Sequence, residues 1–110
     1  MLTSAKRKDY KKIAHHLSPV VSLAENSVED GAIKESVVAE VGRALDDHEL
    51  IKVKVMVNDR EVRQQMIEQL CEVCSADLVQ SIGKLAVIVR PVEQPKEKLS
   101  NIIRFKHLLG

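Results

Sequence analysis

A chain of 110 residues with 45% hydrophobic and 30% charged positions has the composition of one folded domain, large enough for a real core and too short for two. Its apolar runs are only a few residues long, so no segment is expected to span a bilayer, and no apolar stretch follows the first positive charges, which makes a cytoplasmic location the expectation. The net charge of +1 hides a mosaic: residues 1–17 carry five bases and one acid, residues 18–50 two bases and eight acids, and residues 51–110 ten bases and seven acids, so a nearly neutral protein can still present a positive patch.

The spacing of Tyr10, Ile13, Ala14 and Leu17 predicts an amphipathic first helix over Ser4 to Leu17, with Lys8, Lys11, Lys12 and His15 on the opposite face. Ser18-Pro19 ends it, because proline lacks an N–H and disfavours a helical predecessor. Val20 to Leu23 reads as a short strand, and the polar stretch Ala24 to Ala32 as a loop. A second helix is expected over Ile33 to Asp47, with an apolar face of Ile33, Val37, Val38, Val41, Ala44 and Leu45 and an acidic outer face.

Leu50 to Val57 alternates most clearly. Ile51, Val53, Val55 and Val57 take one side of a strand; Lys52, Lys54 and Met56 take the other. Asn58-Asp59 turns the chain and caps a third helix over Arg60 to Ser75. Val79 to Ile82 and Lys84 to Val92 read as two strands joined at Gly83. The expected fold is an α/β sandwich of order α-β-α-β-α-β-β, in two or three layers around a four-stranded mixed sheet. It is expected to occupy residues 1–95, with a charged and then apolar tail over 96–110.

Candidate catalytic groups do not assemble. The four histidines, His15, His16, His48 and His107, have no partner pattern resembling a nucleophile and its base, and the four glycines form no phosphate-binding loop. Asp46-Asp47-His48-Glu49 reads as a solvated helix end, because consecutive residues do not converge on one point. Cys71-x-x-Cys74 falls late in a helix, on the stripe of Val62, Met66, Ile67 and Leu70, so both thiols are expected in the core. No second C-x-x-C and no H-x-x-x-H exists to complete a zinc site. The expectation is therefore no catalysis, no metal, no cofactor and no small-molecule substrate.

Binding has better support. If the hairpin register brings them together, Lys52, Lys54, Lys84 and Arg90 share one sheet face, and with Lys8, Lys11 and Lys12 they can track a phosphate backbone. Arg60 and Arg63, at the start of the third helix, can assist. Only Tyr10 and Phe105 are aromatic, so contacts to backbone and shape are expected rather than base stacking. The competing reading is a protein-interaction module that uses the acidic second helix and the apolar tail.

Three segments carry a family resemblance. Ala14-His15-His16-Leu17-Ser18-Pro19-Val20-Val21, His48-Glu49-Leu50-Ile51-Lys52-Val53-Lys54, and Val79-Gln80-Ser81-Ile82-Gly83-Lys84 with Arg90-Pro91 occur in the order seen in YhbY-type proteins. Those are the stand-alone bacterial form of the CRM (chloroplast RNA splicing and ribosome maturation) domain. The resemblance implies a fold similar to the C-terminal domain of translation initiation factor three, RNA binding, and association with ribosomal RNA or the maturing large ribosomal subunit. It also implies a Gly-x-x-Gly loop after the first strand that holds the RNA backbone. Here that loop keeps Gly31 but not the glycine pair, whether it is counted as Ala24-Glu25-Asn26-Ser27 or as Glu29-Asp30-Gly31-Ala32.

Overall fold

The computed structural model describes residues 2–109. The side chain of Thr3 starts helix α1 (Ser4–Ala14) by accepting a hydrogen bond from the Lys6 amide at 3.1 Å. The helix stops three residues before the predicted Leu17. The His16 and Leu17 amides reach back only three residues, to the Ile13 and Ala14 carbonyls, in a tightened turn that leads into Pro19.

Strand β1 (Pro19–Ala24) follows, then a 3-10 turn over Glu25–Ser27 whose Ser27 hydroxyl accepts from the Ala24 amide at 3.0 Å. The segment expected to be an irregular loop is instead a small hairpin of β2 (Val28–Glu29) and β3 (Ala32–Ile33). Asp30 (φ 52°) and Gly31 (φ 79°) sit at its tip, both in the left-handed region that a two-residue hairpin turn of the I′ kind demands. Because Ile33 belongs to β3, helix α2 begins later than expected and spans Glu35–His48.

The remaining elements are β4 (Leu50–Met56), α3 (Arg60–Cys74), β5 (Asp77–Ile82), β6 (Leu85–Val89) and α4 (Asn101–Arg104). A final 3-10 turn covers Lys106–Leu108. Asp59 caps α3 by accepting from the Val62 amide at 3.0 Å, and Ser75 closes it in the left-handed conformation.

The main sheet has the order β1-β4-β6-β5, with β1 parallel to β4 and the other pairs antiparallel. The mixed four-stranded sheet expected from the sequence is therefore present, in three layers. On its back face Val21, Leu23, Ile51, Val53, Val55, Ala86 and Ile88 pack against Val41 and Leu45 of α2 and Met66, Ile67 and Leu70 of α3. On its front face Leu50, Val79, Val87 and Val89 lie under Tyr10, Ile13 and Ala14 of α1. Fully burying a side chain such as Ile13 contributes about 1.5–3 kcal/mol, which holds a short, highly charged helix in place. Both outer strands carry a register shift, β1 between Pro19 and Val21 and β5 between Leu78 and Gln80. The Arg7 guanidinium bonds the Leu78 and Val79 carbonyls at the second shift.

The apolar C-terminal segment folds back onto the front layer, where Ile102, Phe105 and Leu109 pack against the α1 cluster. Glu49 anchors it. This residue is 3% exposed and adopts φ 60°; its carboxylate accepts from the Val92 amide at 2.9 Å and from the Ser100 hydroxyl, and its carbonyl accepts from the Arg90 amide. Asn101 donates to the Leu50 carbonyl at 2.7 Å, and Lys96 pairs with Asp47, holding that carboxyl below its ordinary range. The run from Asp46 to Glu49 is thus not the solvated helix end expected from its polarity.

Cys74 is buried in the back core, and Cys71 packs against it half-buried, both as free thiols. Burial pushes the Cys71 thiol from the ordinary 9.0 to about 11, so the neutral form is the one the fold favours. That contribution to stability is complete below the ordinary value and is lost as the pH rises to about 11. Thiol-specific alkylation at pH 8 is expected to be slow in the native protein and fast in denaturant. Equal rates in the two states would place the thiols outside the core.

Candidate nucleic-acid interface

The register of β6 decides which basic groups can act together. The Gly83-Lys84 turn sets Ile82 opposite Leu85, and β6 then pairs Lys54 with Leu85 and Lys52 with Val87. Lys52 and Lys54 therefore project from the front face, beside Leu85 and Val87. Helix α1 covers only part of that face. Beyond its C-terminal end a groove remains, lined by Ala14 and His15 from the helix and by Lys52, Gln80, Ile82, Leu85 and Val87 from the sheet. Lys54 is exposed and Lys52 half-buried at its margin. Val20, Met56 and Ile82, at 49%, 45% and 61% exposure, are further signs that nothing covers this part of the sheet.

Arg90 does not join them. It continues the Ala86 and Ile88 parity on the back face, against the expectation of a shared face. Its guanidinium donates to the Cys74 carbonyl at 2.7 Å and the Gly42 carbonyl at 2.9 Å, and pairs with Asp46 at 2.8 Å. It ties the end of α3 to α2. Lys84 likewise departs from the front-face expectation, because it lies in the turn, where its carbonyl accepts from the Val55 amide.

Arg60, Arg63, Ser81 and Gly83 line a second cleft beside that turn. Arg63 is partly committed there, donating to the Val57 carbonyl at 2.8 Å. Gly31 lines neither cleft, facing instead a separate hollow with Val62, Gln65 and Gln69 of α3. It sits at the β2–β3 tip, where Gln69 of α3 donates to its carbonyl at 3.1 Å, and its positive φ satisfies the turn. On α1, Lys8 and Lys12 stand one turn apart on the outer surface, opposite Tyr10, Ile13 and Ala14. Lys11 lies four residues before His15 and shares its flank of the helix.

The structure thus gathers Lys52, Lys54 and His15 around one groove and Arg60, Arg63 and Lys84 around the hairpin turn, leaves Lys8, Lys11 and Lys12 on α1, and sets Arg90 and Gly31 apart. His15 was not among the expected binding residues; its spacing from Lys11 was the only sign of its place. Glu49 left no local signal, since its side-chain partners lie 43 and 51 residues away. Among the described residues no group of three His, Cys, Asp or Glu could hold a metal ion, and no helix is long and apolar enough to cross a membrane.

Comparison with known proteins gives a consistent picture. Residues 2–90 match the family described as the CRS1 / YhbY (CRM) domain. A Pseudomonas aeruginosa protein named as a probable RNA-binding protein is 47% identical over 104 residues, covering 94% of this chain and 95% of its own. A Haemophilus influenzae protein named RNA-binding protein is 44% identical over 97 residues, covering 87% and 93%. The solution structure of a Staphylococcus aureus protein superposes with a TM-score of 0.72 at 31% identity, covering 88% of this chain and 96% of that one.

Proposed function

The chain belongs to the CRS1 / YhbY (CRM) domain family, and on that footing we propose that it is a non-catalytic RNA-binding protein whose front sheet face holds the RNA backbone. The observation that carries this reading is the pair Lys52 and Lys54 on an uncovered sheet face, across a groove from His15. Two like charges one strand pitch apart favour a polyanion over a neutral partner. Arg60 and Lys84 extend the contact around the hairpin turn, and Lys8, Lys11 and Lys12 extend it over α1. In this reading Gly31 serves the turn and Arg90 the core.

The RNA is ribosomal. The protein acts in the cytoplasm on the maturing large subunit, as an assembly factor. A tagged chain should follow the pre-large-subunit fraction in a sedimentation gradient; recovery only among free proteins would remove the ribosomal part of the proposal. The competing protein-interaction reading loses one of its two supports, because Ile102, Phe105 and Leu109 are spent on the chain's own core.

Binding should be steeply salt-dependent. With about seven phosphate contacts from these cations, the logarithm of affinity for structured ribosomal RNA should fall with the logarithm of salt at a slope of about −5. Fluorescence anisotropy across a salt series measures it. A flat response, or no binding at low salt, would contradict the reading.

A further inference from the structure

The two adjacent histidines at the end of α1 face different ways. His15 lines the groove beside Lys52, while His16 turns to the opposite flank, where the C-terminal segment docks. There the His16 ring stacks on Phe105, with centroids 5.8 Å apart and planes 21° from parallel. The His107 ring lies 6.2 Å from Phe105 on the same segment, and the Arg104 guanidinium stands 5.5 Å from the Phe105 centroid. His16, Arg104 and His107 are exposed, and Phe105 is half-buried against the α1 cluster. Three of these four residues lie beyond the stretch matched to the family.

A cluster of flat rings carrying a guanidinium, open to solvent and next to a basic groove, is chemically suited to an unpaired nucleobase. Every base has a π-face, arginine adds a cation–π contribution, and Lys106 adds a charge for the phosphate. The groove and the cluster lie on two flanks of the end of one helix, joined through the adjacent residues His15 and His16, so a single strand leaving the lysines reaches the rings by rounding that helix end. We infer that the C-terminal segment, with His16, forms a second RNA contact that stacks an unpaired base next to a duplex or strand held by the sheet face. This rests on the RNA-binding reading and adds to it a preference for junctions with single-stranded RNA.

The test uses the full chain and a short oligoribonucleotide carrying 2-aminopurine, compared with a fully paired duplex of the same sequence. Binding should quench 2-aminopurine fluorescence in the single strand. The H16A/H107A double variant should lose about tenfold in single-strand affinity and most of the quenching, with duplex affinity unchanged. H16F/H107F, which keeps the rings and removes their protons, should restore both. Phe105→Leu keeps the apolar contact with α1 and should reproduce the loss; its melting temperature reports whether the fold is retained. Unchanged single-strand affinity in H16A/H107A, or an equal loss for the duplex, would overturn the stacking site while leaving the sheet-face reading intact. If the unaltered protein binds neither probe at low salt, the RNA-binding reading itself fails, and the stacking site with it.

Discussion

Replacing Lys52 and Lys54 together with glutamate is expected to lower RNA affinity at least about tenfold while leaving the protein folded. Two attractions beside a polyanion become two repulsions, and both point from the uncovered front face. The opposite side of β4, Ile51, Val53 and Val55, is buried against α2 and α3 and is not touched by the change. Lys54 is exposed, and the charged end of half-buried Lys52 reaches the groove, so the combined stability cost should stay near 0.5–1 kcal/mol, about what surface substitutions usually incur. The control is charge reversal at Glu35 and Glu40, exposed on α2 and hence on the far layer. Asp46 would be a poor control because it holds Arg90. Anisotropy titrations and thermal melts report the two quantities separately. A folded double variant that binds as tightly as the unaltered protein would reduce the lysine face to a solvated surface.

The largest stability effect is expected at Glu49. Glu49→Ala leaves the Val92 amide and the Ser100 hydroxyl without their acceptor inside the protein, and hydrogen bonds to a charged group contribute about 1.5–3 kcal/mol each. A loss of about 3 kcal/mol, or about 10 °C or more in melting temperature for a domain of this size, should follow. The C-terminal segment should loosen first, becoming sensitive to proteolysis near Glu93 before the sheet does. Glu49→Gly should be less damaging than Glu49→Ala, because glycine relieves a backbone held at φ 60°. If Glu49→Ala melts with the unaltered protein, the carboxylate is not the anchor of that segment.

The sequence made the orientation of β4 legible because one side of the strand is aliphatic and the other carries lysine. It could not do the same for β6. Leu85, Val87 and Val89 face α1 while Ala86 and Ile88 face α2 and α3, so both parities are apolar and alternation carries no information about which side is which. That ambiguity is why Arg90 was expected beside Lys52 and lies on the other face. The β2–β3 hairpin reads as a loop in the sequence because, although Asp30-Gly31 is a pair that favours its turn, strands of two residues leave no periodicity to mark them. The anchoring of the C-terminal segment depends on contacts about half the chain apart, which no local pattern encodes.

The register shifts in β1 and β5 bear on how the protein keeps to itself. Outer strands present unpaired amides and carbonyls on which a second chain can build a ladder, and aggregation begins at such templates. Here each outer strand is interrupted: β1 opens on a proline, which has no amide to offer, and its spacing slips before Val21. In β5 the slip lies at the carbonyls that Arg7 occupies, so an incoming strand would meet a kink and a guanidinium instead of a regular row of acceptors. The inner strands β4 and β6, paired on both sides, carry no such break in their shared ladder. The irregularities sit where a straight, continuous edge would invite another copy of the chain to extend the sheet.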